Sequence, residues 1–284
     1  MIEKKILDKY DVILMDLWGV VFDGNELYPQ VYETLEKLYE RNMKIVFFSN
    51  VPRRKKTVEK LLKTFGINKP LYHDIISSGE LAYETLAKDK VFGKKYFHLG
   101  SATEILHSLE DYEEVHDAQK ADFSIITSLL SSYDSYTNHY DRSVELAKEA
   151  IKAKLTLLCT NPDKISITKS GVIVYCPGMV TELYEKWGGE VVHFGKPHKI
   201  IYEYAMRKIR VKTSKVLAIG DSITNDIAGA CNMNIASVLV CSGIHRHDFE
   251  IEIGEMPKGV LQNLKKKYSI SPNYVVSLLR DLVF

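Results

Sequence analysis

The chain has 284 residues, 45% of them hydrophobic, which is enough for one large domain or two smaller ones with a sizeable core. Its 38 basic and 37 acidic residues give a formal net charge of +1, so bulk charge favours neither nucleic acid nor an anionic membrane as a partner. Residues 1–10 mix charged and apolar side chains, unlike a signal peptide, and no membrane-length apolar run or Cys-x-x-Cys pair occurs in the sequence. We expect a cytoplasmic protein whose four cysteines are buried free thiols.

Short apolar runs alternate with helical patterns in the first and last thirds of the chain. Five runs predict buried strands: Val12–Met15, Ile45–Phe48, Ile75–Ile76, Val216–Ile219 and Ile235–Val240. Apolar residues recur with helical spacing at Val58, Leu61, Leu62 and Phe65, and again at Ile201, Tyr204, Ala205 and Ile209. Because strand–helix–strand alternation implies right-handed crossovers, the pattern predicts an α/β fold with a doubly wound parallel sheet.

The middle third of the chain predicts a second α/β unit. Three further strands are expected at Tyr96–Leu99, Phe123–Ile126 and Leu155–Cys159, with a helix around residues 143–153 before the last of them. We therefore expect an inserted domain at residues 80–192, and a core domain formed by residues 1–79 and 193–284.

Four polar signals occur where predicted strands end or helices begin. They are Asp16, Ser49-Asn50, Gly195-Lys196-Pro197 and the stretch from Gly220 to Asp226. The carboxyl ends of parallel strands meet at one edge of a doubly wound sheet, where such folds bind their ligands. Each signal alone is common turn or helix-cap chemistry, but together they predict one site.

The residue types in this set suit phosphoryl transfer. A carboxylate such as Asp16 can act as a nucleophile and form an aspartyl-phosphate. An anionic nucleophile facing a phosphate needs cations, which Lys196 can supply, together with a hard divalent metal held by Asp16 and Asp221. Ser49 offers a hydroxyl donor to phosphate oxygens.

These four motifs, in this order, resemble those of the haloacid dehalogenase (HAD) superfamily over nearly the whole chain. The resemblance implies a Rossmann-like core and a metal-dependent hydrolase, with Mg²⁺ as the cofactor. It implies that Asp16 is the nucleophile and a metal ligand, with the backbone carbonyl of Trp18 and with Asp221 as further ligands and Asp226 as support. Ser49 and Lys196 would hold the transferring phosphoryl group.

A second resemblance concerns the inserted domain. Thr160-Asn161-Pro162-Asp163 is similar to the Thr-Asn-Pro-Asp stretch of the class IIA, NagD-like branch, which carries an α/β cap of the C2 type between its second and third motifs. We expect a turn at Asn161–Asp163 whose loop faces the substrate, and Asn50, Asn161 and Asp163 as substrate-binding residues. The resemblance implies a small phosphorylated metabolite as substrate. Caps of this branch often dimerise, which leaves a homodimer open.

Trp18 departs from the family pattern. Most phosphatases of the superfamily carry a second Asp there, which serves as general acid and then as general base. An indole has one N–H donor and no ionisable group near neutral pH, so it cannot do this work. The chain is then a slow phosphatase on ordinary esters, an enzyme for leaving groups that need no proton, or one in which a cap residue such as Asp163 replaces the acid.

Two other functions stay open. Haloacid dehalogenases proper carry an aromatic residue at this position, but they are metal-free and have a smaller helical cap, so the Asp221/Asp226 pair and the large insertion favour the phosphatase. A weakly active or inactive protein that binds a phosphorylated ligand in a regulatory role is the other alternative. The sequence does not name the substrate.

Overall fold

The protein is described here by a computed structural model that covers residues 4–88, 90–101, 104–129, 136–167, 173–246 and 248–284. The chain forms two compact units. The first contains Met1–Ser49, Val58–Ile76 and Tyr202–Phe284, and the second contains Asn50–Thr57 and Ser77–Ile201. The predicted domain boundaries near residues 80 and 192 stay a prediction.

The first unit contains a six-stranded sheet in the order β13-β12-β11-β1-β2-β3. Its strands are β1 Val12–Met15, β2 Lys44–Ser49, β3 Asp74–Ser77, β11 Val216–Gly220, β12 Ala236–Val240 and β13 Tyr274–Val276. β1 pairs in parallel with β2 on one side and with β11 on the other, and β12 lies parallel to both β11 and β13. The predicted doubly wound parallel sheet is therefore confirmed. All residues of β1 and β11 are buried, which explains why they are apolar without alternation.

The second unit contains a five-stranded sheet in the order β10-β7-β6-β4-β5 and a separate antiparallel hairpin of β8 and β9. Its strands are β4 Lys95–His98, β5 Glu113–Glu114, β6 Phe123–Ile126, β7 Leu157–Cys159, β8 Ile165–Ile167, β9 Ile173–Tyr175 and β10 Val191–His193. The five strands of the larger sheet pair in parallel. The inserted α/β unit is thus present, with more strands than the three that were predicted.

Helices connect these strands: α1 Val31–Glu40, α2 Lys55–Thr64, α3 Ser78–Lys88, α4 Glu104–His107, α5 Tyr136–Lys152, α6 Pro177–Lys186, α7 Lys199–Ile209, α8 Ala228–Asn232 and α9 Val260–Tyr268. α1 shows how they pack, because its buried residues Val31, Thr34, Leu35 and Leu38 follow the i, i+3, i+4, i+7 spacing of one helix face. Within the part of the chain that the structure describes, none of the helices is long and apolar enough to cross a membrane.

The strand predicted at Leu155–Cys159 begins two residues later than expected. β7 starts at Leu157, whereas the apolar run begins at Leu155. The backbone N–H of Leu155 donates to the carbonyl of Ala150 in α5, and Lys154 before it has a positive φ of 57°. Leu155 therefore completes the C-terminal turn of α5 rather than the strand.

The four cysteines are all free, but they are not all buried as expected. Cys159 and Cys241 are buried, Cys176 is half-buried and Cys231 is exposed. Cys231 lies near the end of the short helix α8, where the sequence pattern gave no sign of which face meets solvent. Burial raises the pKa of the Cys159, Cys176 and Cys241 thiols to about 12, so these three are unreactive at neutral pH.

Candidate active site

Asp16 directly follows the central strand β1. Its backbone N–H donates to the carbonyl of Ile219 at 2.9 Å and extends the pairing with β11 by one step. The strands on both sides of β1 are parallel to it and buried, so the carboxylate leaves the sheet at its carboxyl edge. Asp16 is 9% exposed. This is the placement that the apolar run before it predicts.

Asp221 follows β11, the neighbour of β1, and its carboxylate occupies a space that two glycines leave open. Its Oδ2 accepts a hydrogen bond of 2.6 Å from the backbone N–H of Ile244. A Cβ atom on Gly19 would lie 1.8 Å from this oxygen, and one on Gly243 would lie 2.1 Å from it. No larger residue fits at either position without moving the carboxylate. Gly19 also has a φ of +80°, which favours glycine for a second reason.

Asp226 lies in a π-helical turn, Ile223–Ile227, directly after the strand end that carries Asp221. Its Oδ2 accepts from the backbone N–H of Ser222 at 3.1 Å, and its own carbonyl accepts from the hydroxyl of Tyr202 at 3.3 Å. A Cβ on Gly220 would lie 2.0 Å from the Asp226 Cγ. π-Helical turns of this kind are frequent at functional sites.

Asp16, Asp221 and Asp226 form what we call the acidic triad. One carboxylate oxygen from each lies within 4.8 Å of the others, and all three residues are buried. Three buried carboxylates at this distance repel one another unless a cation or protons compensate them. The set contains only oxygen donors, the chemistry that Mg²⁺ prefers. Among the described residues this is the only group of three or more His, Cys, Asp or Glu side chains with metal-binding spacing, so the residues present fit a hard divalent metal.

Ser49 is the last residue of β2 and is 3% exposed. In the parallel pairing of β1 with β2, Met15 lies beside Phe47. Continuing this register puts Asp16 level with Phe48, so Ser49 lies one residue further along the neighbouring strand. Its hydroxyl group is therefore carried to the same sheet edge as Asp16, as the sequence predicts for parallel strands.

Trp18 is held by an aromatic cluster. Its ring meets that of Phe22 edge to face with 4.5 Å between centroids, and Phe22 stacks on Phe65 at 5.1 Å. A Cβ on Gly24 would lie 3.4 Å from the indole Nε1. Edge-to-face aromatic contacts of this type stabilise the packing beyond simple burial. The indole is thus a packed group in the loop after β1.

Tyr28 is a further residue of the first unit that sequence reasoning missed. Its hydroxyl donates to the carbonyl of Ser242 at 3.5 Å. Burial and then the charges of Asp221 and Asp23 raise the pKa of Tyr28 to about 12. The phenol therefore stays protonated and neutral throughout the physiological range. Nothing in the spacing of the sequence connects residues 28 and 221.

The second unit brings together Asn50, Asp163 and Lys196, which we call the Asn50 cluster. The Asn50 Oδ1 accepts from the backbone N–H of Lys196 at 2.6 Å, and its Nδ2 donates to the carbonyl of Lys196 at 3.0 Å. Nδ2 also donates to the Asp163 Oδ1 at 2.8 Å. Lys196 is 2% exposed, which is rare for a lysine and requires compensating partners.

The predicted turn at Asn161–Asp163 is confirmed. The Asn161 Oδ1 accepts from the backbone N–H of Asp163 at 3.1 Å, which is the hydrogen bond of an Asx turn. The turn follows β7, and Lys196 follows the parallel neighbour β10. Adjacent parallel strands end at the same edge, and this explains how residues 33 positions apart in the chain come to share a cluster.

Two histidines flank Lys196 and stack on each other. The rings of His193 and His198 are nearly parallel, with centroids 4.0 Å apart. Burial lowers the pKa of both, to about 4 for His198, while the Glu185 carboxylate bonded to His193 partly opposes the effect there. Both rings are neutral at pH 7, so they add no positive charge next to Lys196.

Comparisons with known proteins agree with this architecture. A haloacid dehalogenase-like hydrolase model matches residues 13–113, and a HAD-hydrolase-like model matches residues 193–282. The chain is 25% identical to the 5'-nucleotidase YutF of Bacillus subtilis (strain 168) over 90% of this chain and 96% of that protein. It is 29% identical to the sugar-phosphatase AraL of the same organism over 81% of this chain and 83% of that protein.

A solved structure supports the same fold. The haloacid dehalogenase-like hydrolase from Brucella suis 1330 is 24% identical and superposes with a TM-score of 0.78, covering 96% of this chain and 97% of that one. The chain therefore has a Rossmann-like HAD core fold with an α/β cap, and its curated relatives include HAD-type phosphatases.

Proposed function

We propose that this protein is a metal-dependent phosphatase of the class IIA HAD branch that hydrolyses a small phosphorylated metabolite through an aspartyl-phosphate on Asp16. The observation that carries the proposal is the acidic triad, because three buried carboxylates within 4.8 Å of one another, all oxygen donors, suit a hard cation at the carboxyl edge of a parallel sheet. Residues 1–79 and 193–284 are proposed as the core, and residues 80–192 as the cap.

In this proposal Asp16, Asp221 and the backbone carbonyl of Trp18 hold Mg²⁺, with Asp226 in support. When bound, the metal neutralises charge on the phosphoryl oxygens. Asp16 attacks phosphorus and the bond from phosphorus to the ester oxygen breaks, the leaving alcohol taking its proton from water. A second water then attacks the phosphorus of the acyl phosphate, which releases inorganic phosphate and regenerates the carboxylate. Ser49 supplies a hydroxyl donor and Lys196 a cation for the phosphoryl oxygens. Substrate contacts by Asn50, Asn161 and Asp163 stay predictions of the sequence.

Trp18 makes the second step the slower one. Transfer to Asp16 relies on positioning and charge, which the chain retains, whereas hydrolysis needs a base that activates water. General acid–base catalysis typically contributes about 10²–10⁴-fold. We therefore propose that turnover is slow on ordinary esters, or that the enzyme prefers acyl or aryl phosphates, whose leaving groups need no proton.

The substrate class follows from charge and from the relatives. A nearly neutral chain carries no bulk charge for nucleic acid. The printed activities of two relatives, a 5'-nucleotidase and a sugar-phosphatase, concern small phosphorylated molecules. Trp18 favours one second candidate, a protein that binds a phosphorylated ligand and turns it over little or not at all. A dehalogenase, a homodimer and a cytoplasmic location stay predictions of the sequence.

A substrate panel tests the proposal. Phosphate esters, acyl phosphates and haloacids are assayed with Mg²⁺ and with a chelator, using Asp16→Asn as a nearly isosteric control. We expect phosphate release that needs both the metal and Asp16. Phosphate binding without release would favour the binding protein, and halide release that survives the chelator would favour a dehalogenase.

A further inference from the structure

The Asn50 side chain pairs with both peptide groups of Lys196. Its Oδ1 accepts from the Lys196 N–H at 2.6 Å and its Nδ2 donates to the Lys196 carbonyl at 3.0 Å. The remaining Nδ2 hydrogen goes to the Asp163 Oδ1 at 2.8 Å. An amide group has two donor hydrogens, and both are used here within the second unit.

Asp163 reinforces the way the amide points. The Lys196 N–H only donates and its carbonyl only accepts, so these two groups already favour Oδ1 against the N–H and Nδ2 against the carbonyl. A carboxylate accepts but does not donate, so Asp163 stabilises the same orientation through the second Nδ2 hydrogen. Asp163 is itself held at two points, because its N–H donates to the Asn161 Oδ1 and its carbonyl accepts from the N–H of Gly178.

The packing leaves no room for a looser arrangement. A Cβ on Gly195 would lie 2.4 Å from the Asn50 Oδ1 and 2.6 Å from Pro162. The residue before Lys196 is therefore in direct contact with the amide and with the turn that carries Asp163. Asn50 itself is 3% exposed, so its hydrogen bonds are shielded from water.

The anchor of the Asn50 segment lies in the same unit. The hydroxyl of Ser78 donates to the Val51 carbonyl at 3.1 Å, and that of Ser77 donates to the Arg53 carbonyl at 2.7 Å. A Cβ on Gly79 would lie 2.4 Å from the Arg53 nitrogen. The start of α3 therefore fixes the backbone that carries Asn50.

From these contacts we infer that Asp163 and Asn50 are positioning residues that orient Lys196, and that Asp163 does not replace the general acid missing at residue 18. The inference rests on the proposed function in one respect only, the expectation that a correctly oriented Lys196 binds the phosphoryl group of the substrate. The orientation itself is a property of the cluster and can be measured without turnover.

The test compares Asp163→Asn with Asp163→Ala. The amide of the first variant can still present an oxygen to the Asn50 Nδ2, so we expect kcat/KM on 4-nitrophenyl phosphate within about threefold of wild type and an unchanged pH profile. The alanine variant loses the acceptor, and we expect about a tenfold or greater loss, as for one hydrogen bond to a charged group. Asn50→Asp, which sets a second carboxylate against Asp163, is expected to behave like the alanine variant. Glu145→Gln, on the exposed face of α5, is the control that changes nothing.

Hydrogen exchange gives a readout independent of catalysis. We expect the backbone amide of Lys196 to exchange faster in Asp163→Ala and Asn50→Asp but not in Asp163→Asn, with circular dichroism confirming that all variants are folded. Equal activity losses in Asp163→Asn and Asp163→Ala, with a flattened pH profile, would overturn the inference and make Asp163 the acid or base. Unchanged exchange at Lys196 in Asp163→Ala would overturn it too. Faster exchange with unaltered binding of inorganic phosphate would support the orientation and contradict the proposed role of Lys196.

Discussion

The acidic triad and the Asn50 cluster both contain buried charged side chains, but the surrounding residues accommodate those side chains in two different ways. In the triad, the carboxylates of Asp221 and Asp226 fit into spaces left by glycines, with Cβ positions at Gly19, Gly243 and Gly220 only 1.8–2.1 Å from their atoms. In the Asn50 cluster, loops are joined by side-chain hydrogen bonds of 2.6–3.0 Å. The geometry of the triad therefore depends mainly on the space that glycines leave open, and that of the cluster depends mainly on hydrogen-bond donors and acceptors. Substitutions that fill space and substitutions that remove a hydrogen bond should therefore affect the two regions differently.

The largest effect is expected from a matched pair of glycine substitutions in the first unit. Gly19 and Gly66 have nearly the same positive φ, +80° and +78°. A Cβ at Gly19 collides with Asp221, whereas one at Gly66 has nothing within 4 Å. We expect Gly19→Ala to abolish Mg²⁺ binding and activity, and Gly66→Ala to cost only about 1–2 kcal/mol of unfolding free energy.

Calorimetric Mg²⁺ titration and thermal melts of the two variants distinguish the effect of the collision with Asp221 from the effect of backbone strain at a positive φ. If Gly66→Ala lost the metal as completely as Gly19→Ala, the left-handed conformation and not the space around Asp221 would be responsible. The claim that the triad depends on glycine-sized space would then be wrong.

A smaller, kinetic effect is expected at Trp18. Because transfer to Asp16 is retained and water activation is not, an activated aryl phosphate should give a burst of stoichiometric release followed by slow turnover. Trp18→Asp should speed the slow phase, by up to about 10²-fold, by restoring a base. The aromatic cluster with Phe22 and Phe65 loses one ring in this variant, so its stability is measured alongside.

Stopped-flow mixing at enzyme concentrations comparable to substrate resolves the two phases. Linear release from time zero, together with no gain in Trp18→Asp, would mean that another group supplies the base or that another step limits the rate.

The smallest effect concerns the anchor of the Asn50 segment. Arg54 donates to the Glu80 carboxylate at 2.8 and 3.3 Å, and the Lys55 N–H donates to it at 2.8 Å. Burial alone would raise the pKa of Glu80, but the hydrogen bonds and charges of Arg54 and Lys55 outweigh it and lower the pKa below 4.5. We expect Glu80→Gln to cost about 1.5–3 kcal/mol at pH 7, as for hydrogen bonds to a charged group.

The sign of the pH dependence follows from the lowered pKa. Glu80 contributes its full stability above pH 4.5, its ordinary value, and loses it as the pH falls through the folded-state value. Urea denaturation between pH 7 and pH 3 should therefore show the wild type and Glu80→Gln converging on acidification. Glu145→Gln, which removes an exposed ion pair with Lys148, should show a much smaller gap that closes in the same direction. A constant gap across this range would contradict the ionic origin of the effect.

The strands and the shared edge of Asp16 and Asp221 were readable from the sequence for a physical reason, whereas Asp226 entered through the family resemblance. β1 and β6 have the predicted bounds because both are fully buried, and a buried strand needs a continuous apolar run. Parallel strands share their carboxyl edge, so polar residues after such runs meet. By contrast, β5 is only two exposed residues and β10 three half-buried ones, too short for any periodicity to show.

The sequence could not predict which residues leave space around a buried carboxylate in the folded chain, nor which side chains form hydrogen bonds with each other. The glycines around Asp221 look like ordinary turn residues until the distances to its carboxylate are known. The same holds for Asn50, because nothing in the spacing of the sequence predicts its hydrogen bonds to Lys196 and Asp163. Its contact with substrate stays a prediction.

The most direct test of the central claim is calorimetric titration of Mg²⁺ into the wild type, Asp221→Ala and the exposed control Asp8→Ala, each with and without a phosphate analogue. The acidic triad predicts binding at millimolar Mg²⁺ or below in the wild type and in Asp8→Ala, and none in Asp221→Ala. Absence of binding in the wild type at millimolar Mg²⁺ under both conditions, or equal binding in Asp221→Ala, would contradict a metal site at the triad and with it the proposed phosphatase.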